Sequence, residues 1–231
     1  MRDAQPKAIQ LADYKAPTYE VTETHLRFEL NDEFTLVNSV LKLRQNGSDT
    51  SFTLNGQELE LLGITLDGKA LSSDDYELGE ETLTLSGLGA EHTLEITTRI
   101  YPDKNTALEG LYRSGGMYCT QCEAEGFRRI TYYPDRPDVM SVFTTEIIAD
   151  AEKYKVLLSN GNPISESVEN GKRRAVWHDP HRKPAYLFAL VAGDLCVRED
   201  HFTTCSGRDV LLKIFVEPQN VDNSEYALDG L

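Results

Sequence analysis

The chain has 231 residues, of which 40% are hydrophobic, and its 38 acidic and 23 basic side chains give a formal net charge of −15. This length and hydrophobic share suit a folded globular protein with a sizeable core. The acidic balance argues against a nucleic-acid partner, which needs clustered Lys and Arg, and no stretch approaches the roughly 20 apolar residues of a membrane span.

The beginning of the chain, residues 1–17, has no apolar segment of the kind found in secretory signals. Four cysteines in a chain of 231 residues do not form a disulfide framework. We therefore expect a reducing, cytoplasmic location.

Short stretches of alternating apolar residues cover the first hundred positions, and this period of two is typical of half-buried strands. The alternating groups are Leu26, Phe28 and Leu30; Phe52 and Leu54; Leu59 and Leu61; Ile64 and Leu66; Leu83 and Leu85; and Leu94, Ile96 and Ile100. Turn signals separate them at Asn55-Gly56, Asp67-Gly68, Gly79-Glu80 and residues 86–90. The pattern predicts an all-β, antiparallel sandwich or saddle.

Residues 103–141 differ, because they are rich in Gly, Pro, Asp, Arg and Tyr and show little alternation. Long irregular connections in compact domains are usually functional or disordered. This one also contains many apolar and aromatic residues, so we predict that it is ordered and packed.

Strand patterns resume at residues 142–148, 156–159 and 174–177. The apolar run AYLFALVAGD, residues 185–194, predicts a strand buried on both faces, followed by a boundary. A further strand is predicted at 209–218, and Asp222 or Asn223 is positioned to cap a helix that begins about one turn before the last residue. Because a single helical turn does not offset its nucleation cost, we expect the chain to be a fragment of a longer polypeptide.

The spacing Cys119-x-x-Cys122 is compatible with two functional sites, a zinc site and a redox dithiol. Together with His178 and His181 it would make a Cys2His2 zinc set, although the spacing is not that of a zinc finger. A redox dithiol would need a helix start in a βαβ context, which the pattern does not offer. Ordinary thiols are the interpretation that the spacing favours.

No hydrolase motif is complete in this chain, since neither His-Glu-x-x-His nor Gly-x-Ser-x-Gly nor a phosphate loop occurs. We therefore assign no catalytic residue. Gln121 and Glu123 lie two positions apart, so on an extended chain they point to the same side. There they would accept hydrogen bonds from an ammonium group; the alternative is that both face solvent or satisfy backbone groups.

Several ordered stretches carry a resemblance to a known family. They include NTALEGLYRSGG (105–116), CTQCEAEGFRRITYYPDRPDV (119–139), FTTEIIAD (143–150) and DPHRKPAYLFALVAGD (179–194). Essentially the whole chain resembles the N-terminal domain of the M1 zinc aminopeptidases, in particular those of the bacterial aminopeptidase N type.

This resemblance implies a β-saddle domain at residues 1–194 and the beginning of a thermolysin-like catalytic domain at 195–231. It also implies that the full-length enzyme removes N-terminal residues from peptides with Zn²⁺. The family's zinc motif and its Gly-Ala-Met-Glu-Asn motif are absent from this sequence. We therefore expect no metal and no hydrolysis from the fragment alone.

In such enzymes a Thr-Gln-x-Glu stretch of the N-terminal domain reaches the active site, and here it corresponds to residues 120–123. The resemblance implies that Glu123 binds the α-ammonium of the substrate and that Gln121 lines the first side-chain pocket. The expected partners are peptides with a free N-terminus and the catalytic domain. Two alternatives stay open, a non-enzymatic β-sandwich interaction module and a small zinc-stabilised domain.

Overall fold

The computed structural model describes residues 10–230, and within them the chain is built almost entirely of strands. The strands are β1 (Tyr19–Leu30), β2 (Thr35–Gln45), β3 (Phe52–Asn55), β4 (Glu60–Leu66), β5 (Lys69–Ala70), β6 (Glu77–Leu78), β7 (Thr82–Leu85), β8 (Glu91–Ile100), β9 (Gly110–Ser114), β10 (Met117–Gln121), β11 (Met140–Asp150), β12 (Val156–Ser159), β13 (Asn162–Glu169), β14 (Lys172–Pro184), β15 (Leu190–Gly193), β16 (Cys196–Thr203) and β17 (Asp209–Val216). Five 3₁₀ turns lie at Leu11–Asp13, Pro102–Lys104, Phe127–Arg129, Ala185–Leu187 and Pro218–Asn220, and one α-helix, α1, at Ser224–Asp229.

The strands form four sheets. The largest has eight strands in the order β13-β14-β11-β1-β2-β8-β4-β5, and the others are β12-β15-β10-β9, β3-β7-β6 and β16-β17. This all-β architecture confirms the predicted fold class, with one departure: β1 and β11 pair in parallel. Parallel neighbours need a long crossover, here residues 31–139, and alternation does not distinguish the two pairings.

One face of the eight-stranded sheet carries the core. Along β11, for example, the buried Phe143, Thr145 and Ile147 alternate with partly exposed residues. The sheet β3-β7-β6 packs against this face, where the rings of Tyr19 in β1 and Phe52 in β3 have centroids 5.5 Å apart. The buried apolar residues form one continuous cluster, which is why the alternation extends over most of the strands.

Two tight turns show how local sequence sets the hairpins. At the predicted turn Asp67-Gly68 both residues have positive φ, 51° and 80°, which matches a type I′ hairpin and confirms the prediction. Gly115 and Gly116, between β9 and β10, also have positive φ angles, of 57° and 87°. Residues 103–141 are therefore ordered, as predicted, but they are not wholly irregular, because a Gly-Gly hairpin lies within them.

The run 185–194 departs from the predicted single strand. Ala185–Leu187 is a 3₁₀ turn and only Leu190–Gly193 is extended. The Asn160 side chain accepts a hydrogen bond from the Ala189 N–H at 2.7 Å and donates one to the Leu187 carbonyl at 3.1 Å, so it takes the place of a neighbouring strand.

The last two strands of the described chain form a separate sheet. Strands β16 and β17 pair only with each other within residues 10–230. The proposed division at residue 194 stays a prediction.

Helix α1 begins after Asn223, at the predicted position but without a side-chain cap bond. No helix in residues 10–230 is long and apolar enough to cross a membrane.

Candidate functional site

The hairpin β9–β10 carries the first predicted site residue. Gln121 is the last residue of β10, lies opposite Gly110 of β9 and is exposed. Two positions earlier, Cys119 pairs with Tyr112 of β9 and Val191 of β15. Because side chains alternate along a strand, Cys119 and Gln121 project from the same face of the four-stranded sheet.

The chain then makes a turn over residues 122–126 that presents the second predicted residue, Glu123. The Gly126 N–H donates to the Cys122 carbonyl at 2.8 Å, which closes the turn. Cys122 is only 2% exposed, whereas Glu123, Ala124 and Glu125 are exposed. The turn is therefore anchored inside the protein and carries its acidic residues outward.

The structure brings the two predicted site residues together. The side-chain amide of Gln121 donates a hydrogen bond to the main-chain carbonyl of Glu123 at 3.2 Å. Within residues 10–230 the Glu123 carboxylate accepts no hydrogen bond and forms no ion pair. The exposed Glu123 carboxylate and the side-chain oxygen of Gln121 are both groups that accept hydrogen bonds from a cationic amine.

The arginines that follow the turn are already engaged by other acids. Arg128 binds Asp135 at 3.2 Å and Glu125 at 3.4 Å. Arg129 binds Glu58 at 2.7 Å and lies 3.3 Å from a carboxylate oxygen of Glu109. Neither arginine neutralises Glu123, so the exposed side of the turn retains a negative charge.

The pair between Arg128 and Asp135 is largely buried. The Asp135 side chain is 2% exposed, and it accepts hydrogen bonds from the Arg128 main-chain N–H at 3.1 Å and from its guanidinium Nε at 3.2 Å. Burial raises the pKa of Asp135, and the bonds from Arg128 act in the opposite direction. Breaking such a pair leaves an uncompensated buried charge, so it holds the segment after the turn in place.

The surroundings of Cys119 and Cys122 disfavour reactive thiols. Burial raises the pKa of Cys119, and burial together with nearby Asp135 raises that of Cys122 well above its usual range. Both effects disfavour the thiolate, which is the form that binds metals and attacks disulfides. The interpretation as ordinary thiols agrees with these environments.

The Cys2His2 alternative is not assembled in the described part of the chain. His178 lies on β14 of the eight-stranded sheet, where its Nδ1 and the Thr144 hydroxyl are 3.0 Å apart. Among residues 10–230 no group of three or more His, Cys, Asp or Glu side chains is placed to hold a metal ion.

The residues that support this turn were not predicted from the sequence. Gly110 and Gly126 meet behind it, and Asp135 anchors Arg128 from farther along the chain. The signal available in the sequence was a glycine at each of these two positions, within a segment that contains other glycines as well. That signal does not reveal which glycines touch each other.

Comparisons with known proteins agree with this picture. The model of the family described as "Peptidase M1 N-terminal domain" matches residues 17–187. Aminopeptidase N of Caulobacter vibrioides is 47% identical over 233 aligned positions, which cover 100% of this chain and 27% of that protein. The chain thus spans about a quarter of that relative's length.

Solved structures show the same similarity. Aminopeptidase A of Legionella pneumophila, solved in complex with aspartic acid, matches with a TM-score of 0.90 and 32% identity, over 95% of this chain and 26% of that one. An M1 zinc metallopeptidase from Deinococcus radiodurans shares the fold, with a TM-score of 0.74 and 14% identity, over 87% of this chain and 48% of that one.

Proposed function

We propose the following function for this chain, which belongs to the peptidase M1 N-terminal domain family. It would form the N-terminal domain of an aminopeptidase of the aminopeptidase N type, an enzyme that removes N-terminal amino acids from peptides. In that enzyme Glu123 would bind the free α-ammonium of the substrate, and Gln121 would line the pocket for its first side chain.

The observation that carries this proposal is the Glu123 carboxylate, which has no partner among residues 10–230, on a turn that is anchored inside the protein. An exopeptidase must accept a charged terminal amine and reject an internal peptide amide. A carboxylate imposes that choice, because the wrong substrate leaves it desolvated and unpaired. Holding the amine also places the first peptide carbonyl for attack.

The bond-breaking chemistry is proposed to lie outside this chain. A catalytic zinc needs three protein ligands, and residues 10–230 offer no such group, so they do not fit this metal. The sequence also lacks His-Glu-x-x-His. We assign Zn²⁺ to the catalytic domain of the complete enzyme, which is the second partner of this chain beside the peptide substrate.

We also propose a reducing, cytoplasmic location. The support is the cysteine usage, since Cys119, Cys122, Cys196 and Cys205 are all free thiols.

A chimera tests the proposal directly. This chain replaces the matching segment of Caulobacter vibrioides aminopeptidase N, to which it aligns along its full length. We expect the chimera to hydrolyse an alanyl chromogenic amide and the chain alone to show no activity above background. Activity of the chain alone would contradict the placement of the chemistry. A folded but inactive chimera would favour the non-enzymatic interaction module.

A further inference from the structure

We infer that Gly126 is a positioning residue, which fixes the turn of residues 122–126 so that Glu123 and Gln121 keep one geometry. This inference rests on the proposed function, because the geometry matters only if these two residues recognise an amine. It assigns a role to a residue that does not itself touch the substrate.

The backbone torsions of Gly126 do not require glycine. Its φ is −79° and its ψ is −17°, a right-handed conformation that any residue adopts. Glycine is often needed for a positive φ, but that reason does not apply here. The requirement at this position must come from what surrounds the Cα atom.

The surroundings leave no room for a side chain. A Cβ atom on Gly126 would overlap the carbonyl oxygen of Gln121, and it would lie 2.9 Å from the Gly110 nitrogen and 3.1 Å from the Cys122 Cα. All three are backbone atoms, which do not rotate away as the end of a flexible side chain does. An added methyl group would therefore displace the chain itself.

Gly110 meets Gly126 from the other side. A Cβ atom on Gly110 would lie 2.9 Å from the Gly126 carbonyl oxygen and 2.8 Å from the Arg129 Cβ, and its φ of +72° also favours glycine. Gly110 is the residue opposite Gln121 in the β9–β10 ladder. A shift of Gly126 is thus transmitted to the strand pair that holds Gln121.

The two ends of the turn cannot absorb this shift. Cys122 is 2% exposed, and Phe127, directly after Gly126, is 0% exposed, with its ring centroid 5.0 Å from that of Tyr133. Residues 123–125 are exposed, so no surrounding core holds them in place. Displacement at Gly126 therefore reaches Glu123, and small misplacements of binding groups are costly for catalysis.

The test compares Gly126→Ala with Gly63→Ala. Gly63 is a matched control because a Cβ there meets nothing within 4 Å and its φ is not positive. In NMR spectra of this chain we expect Gly126→Ala to shift the amide signals of residues 119–123, beyond its direct neighbours, and Gly63→Ala to leave them unchanged. Unshifted signals in Gly126→Ala would overturn the positioning role, independently of any activity.

The functional readout uses the Caulobacter chimera and two substrates, one with a free α-amine and one with a hydroxyl in its place. We expect Gly126→Ala to reduce the preference for the amine about ten- to a hundredfold, and Gly63→Ala to change it less than about twofold. A purely structural defect would lower the amount of active enzyme and leave this preference unchanged, and that result would overturn the inference.

Two further variants distinguish a failure of the inference about Gly126 from a failure of the proposed function. Cys122→Ala loosens the same turn from inside without a steric clash, so we expect a smaller loss of amine preference, about threefold, even if Gly126→Ala does not fold. An unchanged preference in Cys122→Ala would then overturn the inference. An unchanged preference in Glu123→Gln would overturn the proposed function, while the NMR comparison would still decide whether Gly126 positions the turn.

Discussion

The side-chain amide of Gln121 donates a hydrogen bond to the main-chain carbonyl of Glu123 at 3.2 Å, across a turn whose interior residue, Cys122, is buried. This bond leaves the Gln121 side-chain oxygen and the Glu123 carboxylate available on the exposed side. The sequence pattern was interpreted as one side of an extended chain, whereas the structure has a turn after β10, and the hydrogen bond across it links the two residues.

Removing the Glu123 carboxylate tests its role most directly. In the chimera, Glu123→Ala should weaken transition-state binding of peptides with a free N-terminus by about 2–5 kcal/mol, because a desolvated ammonium loses its partner. The measurement is kcat/KM for an alanyl amide. Glu125→Ala is the control, since Glu125 is exposed and lies 3.4 Å from Arg128. Equal kinetics for both variants would reduce Glu123 to a surface residue.

Phe127 should be among the residues most sensitive to truncation. Its ring meets those of Tyr133, Phe188 and Phe143 edge-on, with centroid distances of 5.0, 5.4 and 6.1 Å. We expect Phe127→Ala to lower the free energy of unfolding by about 3–5 kcal/mol in urea denaturation.

Phe202→Ala provides the matched control for that loss, because Phe202 is 53% exposed. We expect Phe202→Ala to lower the free energy of unfolding by no more than about 1 kcal/mol. Similar losses for the two variants would show that Phe127 is not part of the main core.

Alkylation rates should rank the thiols by exposure. Cys205 is exposed and should react first, whereas burial raises the pKa of Cys119 and slows its reaction. Cys122 should be unreactive until the chain unfolds, since it is 2% exposed and burial raises its pKa further. Timed iodoacetamide labelling with mass spectrometry measures this order, with urea as the control. Rapid labelling of native Cys122 would contradict the buried turn.

Asp138 should contribute to stability in a pH-dependent manner. Hydrogen bonds from Arg136 at 2.8 and 2.6 Å, and from the Tyr14 hydroxyl at 3.0 Å, hold its pKa below the ordinary value of 3.8. Because the folded-state pKa is lowered, the stabilisation is present above pH 3.8 and disappears as the pH falls through the folded value.

The matching experiment is urea denaturation of Asp138→Asn at about pH 6 and about pH 3. The variant should be less stable by about 0.5–1 kcal/mol at the higher pH, and the difference should shrink at the lower one. Asp74→Asn is the control, because Asp74 is exposed and its carboxylate has no partner among residues 10–230. A difference for Asp138→Asn that does not depend on pH would refute the ion-pair explanation.

Several features of the fold were predictable because their causes are local. Alternation such as Leu94, Ile96 and Ile100 identified strands, since each strand buries one side. Asp67-Gly68 predicted its turn, because few residues other than Gly, Asn and Asp tolerate positive φ. The resemblance carried by the segment around residues 105–139 placed the chain in its family, and the match to residues 17–187 confirms it.

Other features depend on partners that are distant in the chain. The parallel pairing of β1 with β11, and the replacement of a strand neighbour by Asn160 beside residues 185–189, follow from where those elements meet in space. Alternation records that a face is buried, but it carries no information on strand direction or on the identity of the neighbour.

The candidate site shows the same division. The sequence alone determined that Gln121 and Glu123 lie two positions apart in a segment with the family's pattern, and that Cys119 and Cys122 lie beside them. Only the tertiary structure decided that Cys122 is buried and that Gly126 and Gly110 approach each other closely beside the turn. The reason is physical: residue type fixes the available chemistry, whereas burial and close backbone approach depend on contacts between chain segments that the sequence does not pair.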